Sequence, residues 1–170
     1  MFRIYDCLIT QHDLRLVVIA GLVCLLASTV AIGLLQVARS AVGRQRVIWI
    51  AIAGSAAGCG IWSTHFIAIL AYSAGGLAIG FDLGLTIISL IIAIAFTSLG
   101  LAVTIYAPLR VAGLIGGAIV AIGVAAMHII GVSAIELPGR LTWSADLVVT
   151  AIVLDVAFAM AAMTFANRPQ

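Results

Sequence analysis

The chain has 170 residues, 65% of them hydrophobic and 8% charged, with a mean hydropathy of +1.32. A soluble domain carries about 25% charged residues, so there is too little polar surface here to face water, and a soluble enzyme or a disordered chain is excluded. The net charge of +2 comes from eight scattered Arg and no Lys, which excludes a nucleic-acid-binding face.

The first residues, up to Asp13, hold no apolar h-region, so no cleaved signal peptide is expected and the first apolar run is read as a retained span. A helical span needs about 20 mostly apolar residues. Five stretches qualify: Leu14–Val37, Val47–Ala71, Leu83–Tyr106, Val111–Ile135 and Leu147–Ala166. Arg39–Arg46 separates the first two, and a Gly-rich stretch, Tyr72–Asp82, separates the next pair. Pro108 breaks the chain after the third, and Pro138-Gly139 lies between the last two. No run alternates in polarity, which disfavours a membrane barrel. The expected fold is an all-α, five-helix transmembrane bundle. Cys7, Cys24 and Cys59 are odd in number and are read as small buried hydrophobes rather than a disulfide framework.

The Arg bias sets the expected orientation. Arg39, Arg44, Arg46, Arg110 and Arg168 fall on one side, against Arg3, Arg15 and Arg140 on the other. The first group is assigned to the cytoplasm, with the N-terminus outside and the C-terminus inside. Glycines at small-xxx-small spacing, Gly54/Gly58 and Gly113/Gly117, suit close helix packing.

An internal repeat runs through the spans. His12-Asp13-Leu14, Phe81-Asp82-Leu83 and Ala145-Asp146-Leu147 each open one, with the Asp as a natural N-cap. Gly60-Ile-Trp-Ser-Thr-His65 recurs as Gly123-Val-Ala-Ala-Met-His128, 63 residues on (128 − 65). The unit is a pair of helices with a His late in the second. Repeats are placed at about 12–71, 81–135 and 145–170, the last without its His-bearing helix. The chain thus reads as one truncated module, 1–170, that stops before a third His-bearing helix.

Units with an even number of spans share one orientation, so equivalent positions share a depth. His65 and His128 then lie in the outer part of the hydrocarbon layer, and His12 just ahead of the first span. An ionisable residue inside the membrane is a functional candidate, and imidazole is a common metal ligand. His12, His65 and His128 are therefore the candidate metal site. Met127 is a candidate thioether ligand, although adjacent helix residues point about 100° apart and packing is at least as good a role. Trp62 and Phe66 flank His65 and are candidate shields. Asp13 and Asp155 are placed as supporting or gating carboxyls, Asp155 standing mid-span with no basic residue at its depth.

At these residues the chain resembles the MHYT family of bacterial integral-membrane sensor domains, over nearly its whole length. The matches are Trp62-Ser-Thr-His65-Phe-Ile-Ala-Ile-Leu70 and Ala126-Met127-His128-Ile-Ile-Gly131-Val132. The resemblance implies a sensor binding copper through His and Met, responding to O2, CO or NO. It also implies attachment to cytoplasmic GGDEF and EAL domains that make or degrade cyclic di-GMP. The motif departs at four positions: Thr64 replaces its first Met, Ile129 its Tyr, and Ile69 and Val132 its second Met. With only Met127 left, soft Cu(I) preference weakens and a His-dominated site takes Cu(II) or zinc, zinc being the second choice. The expected partners are the lipid bilayer, a diatomic gas, a cytoplasmic signalling domain and a second copy in a homodimer, with no nucleic acid. The module is expected not to be an enzyme. The alternatives weighed are a metal-dependent membrane oxidoreductase and a transporter or structural anchor.

Overall fold

The computed structural model describes residues 12–72, 80–107, 111–136 and 144–166. Cys7, Arg3, Arg110, Arg140, Arg168, Pro108, Pro138 and Gly139 lie outside the described residues. Five helices run through the rest: α1 (Leu14–Ser40), α2 (Gly43–Ala71), α3 (Leu83–Tyr106), α4 (Ala112–Ser133) and α5 (Ala145–Ala166). All five are long and apolar enough to cross a membrane. Two-residue strands β1 (Gly80–Phe81) and β2 (Ile135–Glu136) pair antiparallel, Gly80 opposite Glu136 and Phe81 opposite Ile135. The protein is a multi-pass, all-α membrane bundle.

Helix ends differ from the apolar runs in an instructive way. α1 continues past Val37 through Arg39, and α2 starts at Gly43, so Arg44 and Arg46 sit in its first turn. Backbone hydrogen bonding does not stop where hydrophobicity does, because a long Arg side chain reaches water from inside the helix. Only Ala41 and Val42 separate the two helices, and Gly43 takes the positive φ of 55° that this reversal requires.

Each helix packs on its neighbour in sequence, α1 on α2 through to α4 on α5, while α2 and α4 meet over only a short stretch. Glycines set the approach. A Cβ on Gly58 would lie 2.7 Å from the Ile94 Cα of α3, and one on Gly117 would lie 2.5 Å from the Met160 Cα of α5. A buried cluster of Leu35, Ala38, Ile50, Ala53, Leu101 and Met163 draws on all helices but α4 and sits toward the Arg39 end. The outer faces of α1 and α5 are the least covered by protein, as suits helices whose Leu, Val and Ile side chains meet lipid. Cys24 and Cys59 are free and exposed. The expectation that they are buried is corrected: a thiol in an apolar run need not be inside the protein when the surroundings are hydrocarbon.

The two helix pairs are closed alike. The Asp13 N–H donates to Ala71 O at 2.8 Å, and the Asp82 N–H donates to Ala134 O at 2.8 Å. His12 bridges Tyr72 just outside the first closure, as β1 pairs with β2 outside the second. Asp13 and Asp82 cap their helices, their Oδ1 atoms accepting from the Arg15 and Leu85 N–H groups at 2.9 and 2.7 Å. The third Asp differs. α5 starts at Ala145, the Ser144 carbonyl accepts from the Leu147 and Val148 N–H groups at 3.1 Å, and Asp146 lies inside the first turn. Asp146 is therefore not the N-cap expected for it. It stands two positions too late (146 − 144), where its charge faces the helix dipole but caps nothing.

Candidate functional site

Two of the three histidines meet. His65 lies six residues before the end of α2, and His128 lies five before the end of α4. At 1.5 Å per residue both stand about 8–9 Å inside the β1–β2 end of the bundle. Their Nδ1 atoms are 3.2 Å apart and the ring centroids 4.6 Å apart, nearly edge-on at 65°. This is where α2 and α4, otherwise held apart by α3, touch.

His12 is not with them. It sits beyond the start of α1, bridged to Tyr72, its ring 5.4 Å from the Tyr72 ring. Tyr72 follows α2 and stands seven residues beyond His65, about 10 Å further along the axis. Among the described residues no group of three or more His, Cys, Asp or Glu is close enough to hold an ion. The expected three-histidine cluster is thus corrected to a pair. A residue ahead of an N-cap lies at the rim, whereas one a turn and a half inside the facing helix lies in the membrane.

The pair has a defined wall. The His65 ring meets Phe66 at 5.5 Å and 90°, Phe66 stacks on Trp62 at 4.4 Å, and Phe81 from β1 reaches Phe66 at 5.4 Å. Trp62 Nε1 donates to Ser89 Oγ on α3 at 3.0 Å, and Ser89, fully buried, donates on to Thr86 O at 2.7 Å. Trp62 is therefore pinned to α3 and shields His65 through Phe66. Gly131 makes room: a Cβ there would stand 3.0 Å from His65 Nε2 and 3.5 Å from Phe66 Cε2. His65 Nε2 is buried with no hydrogen-bond partner. Without an ion, one Nδ1 donates to the other, and either tautomer leaves that Nε2 unsatisfied.

The remaining candidates stand elsewhere. Met127 is buried at 1% exposure inside the packing of α4. Asp13 is a cap at the rim. Asp155 lines a large apolar groove between α1 and α5. Ser89 and the role of Gly131 were not picked out from the sequence. A glycine three residues after His128, one turn along the same face, was the available signal for the second.

The family described as bacterial signalling protein N terminal repeat, MHYT, matches residues 58–117 and 122–170. The chain belongs to the MHYT family. Its two matched repeats start 64 residues apart (122 − 58), each shortly before a His of the pair. A signalling protein of Caulobacter vibrioides is 39% identical over 98% of this chain and 20% of its own length. Two Pseudomonas aeruginosa proteins are similar. The bifunctional diguanylate cyclase/cyclic di-GMP phosphodiesterase MucR is 35% identical over 78% of this chain and 19% of its own. The cyclic di-GMP phosphodiesterase NbdA is 30% identical over 87% of this chain and 19% of its own. The chain spans about a fifth of the length of these relatives. No solved structure matches. This MHYT chain is a sensor domain of the kind found in signalling proteins linked to cyclic di-GMP enzymes.

Proposed function

We propose that this domain senses through the His65–His128 pair, which holds a transition-metal ion, copper before zinc. The observation that carries the reading is the meeting of two repeat-equivalent imidazoles, Nδ1 to Nδ1 at 3.2 Å, with His65 half-buried and His128 exposed at the edge of the protein. Two nitrogens at that separation both reach an ion at about 2.0–2.1 Å, which would take a lone pair from each Nδ1 in place of the proton they otherwise share. Met127 and His12 do not join that donor set. Two protein ligands leave coordination positions open, and the bound ion would supply affinity for O2, CO or NO there. The protein's own part is to aim both rings, to shield the His65 side with Trp62, Phe66 and Phe81, and to join α2 to α4.

Metal content decides this. Purified protein analysed by mass spectrometry should carry its ion in the wild type and in His12→Ala, and lose most of it in His65→Ala and His128→Ala. Full stoichiometry in both of the last two variants would overturn the site.

In the same reading the Arg39–Arg46 end faces the cytoplasm of an inner-membrane protein, following the positive-inside rule, and a cyclic di-GMP enzyme domain receives the signal there. A single Cys at Val42, in a background lacking the other three, should be protected from a membrane-impermeant thiol reagent in intact cells, and one at Glu136 should react. The reverse pattern would invert the topology.

A further inference from the structure

The groove between α1 and α5 has a volume of about 1170 Å³, above the roughly 300–1,000 Å³ of small-ligand pockets. Along α1 it runs from Cys24 to Arg39, about 22 Å at 1.5 Å per residue. One leaflet is about half of the 30 Å hydrocarbon layer, so an acyl chain fits well within that length. The half toward Arg39 is walled by Ile32, Leu35, Leu101, Ala162, Met163 and Phe165. Asp155 lies 11 residues before the end of α5, about 16 Å in, so it stands past the apolar half.

What marks the occupant is the charge at one end. Arg39 lines the groove and also a second cavity of about 230 Å³, which it shares with Arg46, Thr104 and Ile105. Arg46 comes from the first turn of α2 and is held in place. Its Nε donates to Ala41 O at 2.8 Å and its guanidinium lies 5.8 Å over the Tyr106 ring. The Nη groups of Arg46 keep their donors, in a fork suited to phosphate oxygens. Both Arg are half-buried, at the level where a helix meets headgroups. Basic pockets between transmembrane helices recognise anionic headgroups.

We infer that this groove and its paired arginines form a binding site for an anionic phospholipid, the phosphate at Arg39 and Arg46 and the acyl tail along α1 and α5. The site is separate from the histidine pair and stands whether or not that pair holds a metal. A bound lipid would tie the unlinked helices α1 and α5 together.

The test is native mass spectrometry of the full chain in mild detergent. The probes are phosphatidylglycerol, phosphatidylcholine with the same acyl chains, and inorganic phosphate. Phosphatidylglycerol should be retained about tenfold better than phosphatidylcholine. Arg39→Gln/Arg46→Gln should lower that retention about tenfold, whereas Arg39→Lys/Arg46→Lys should keep most of it. Ala162→Phe, which fills the groove without touching the charges, should weaken retention severalfold with helix content unchanged by circular dichroism. Equal retention of the two lipids, or retention indifferent to both the glutamine and the phenylalanine variants, would overturn the site. So would displacement of the lipid by millimolar phosphate, or a dimer mass whose formation Ala162→Phe abolishes.

Discussion

Gly131 shows how one missing methyl shapes the site. Its Cα lies against the His65 ring, and an added Cβ would press Nε2 at 3.0 Å and Cδ2 at 3.3 Å. Gly131→Ala should push the ring by a few tenths of an ångström, cost about 1 kcal/mol as mild overpacking, and lower metal occupancy, read by mass spectrometry beside an unfolding titration in bicelles. Trp62 is the second test. Trp62→Phe keeps the stack on Phe66 and removes the 3.0 Å bond to Ser89. Polar contacts between membrane helices are worth about 0.6 kcal/mol on average, so the same titration should show a loss of that order with the metal retained. At this scale the sequence was only partly readable. The 63-residue spacing between His65 and His128 brought forward the two rings that meet, because equal register in repeated helices means equal depth. His12 misled, because sharing a side of the membrane is not sharing a depth. Ser89 was silent, since a serine inside an apolar helix carries no sign of which neighbour it faces.

Among the helices, the spans were plain from hydropathy alone, since backbone groups in hydrocarbon must be satisfied within the segment. Their ends were less so. The Asp residues ahead of α1 and α3 were legible as caps because Asp side chains satisfy first-turn N–H groups, but the two-residue shift at α5 (147 − 145) depends on Ser144, which looked like linker. Asp82→Ala should therefore cost about 1 kcal/mol, while Asp146→Ala loses only a dipole interaction of about 0.3–1 kcal/mol. Thermal unfolding followed by circular dichroism separates the two. The glycines mark the contact faces. On α4, a Cβ at Gly113 would meet Met163 O at 2.9 Å and the Thr164 Cα at 2.9 Å. These are backbone atoms, which cannot step aside as a flexible side chain can.

Taken together, the described residues form two like-built helix pairs and one more helix, with the His65 and His128 imidazoles on the seam between the pairs. Their interaction should show as non-additivity. In a double-mutant cycle of His65→Ala and His128→Ala, the second substitution should cost about 1 kcal/mol less than the first, read in bicelle unfolding without metal. Fully additive losses would mean the rings do not interact. The repeat let this be foreseen in outline. The short α2–α4 contact was not foreseeable, because helix order in a bundle is set by which small-residue faces find each other, and several orders satisfy the same glycines.

The closures at Asp13–Ala71 and Asp82–Ala134 have a mechanical consequence. In the first pair, α1 and α2 are fastened at one end by that bond and at the other by a two-residue turn, so neither helix can slide along its mate. The two pairs meet at a seam where α2 packs on α3 and the rings of His65 and His128 touch. A shift of the His65 ring against His128 would then carry the fastened α1–α2 pair as one body, its lever arm reaching the far side of the bilayer.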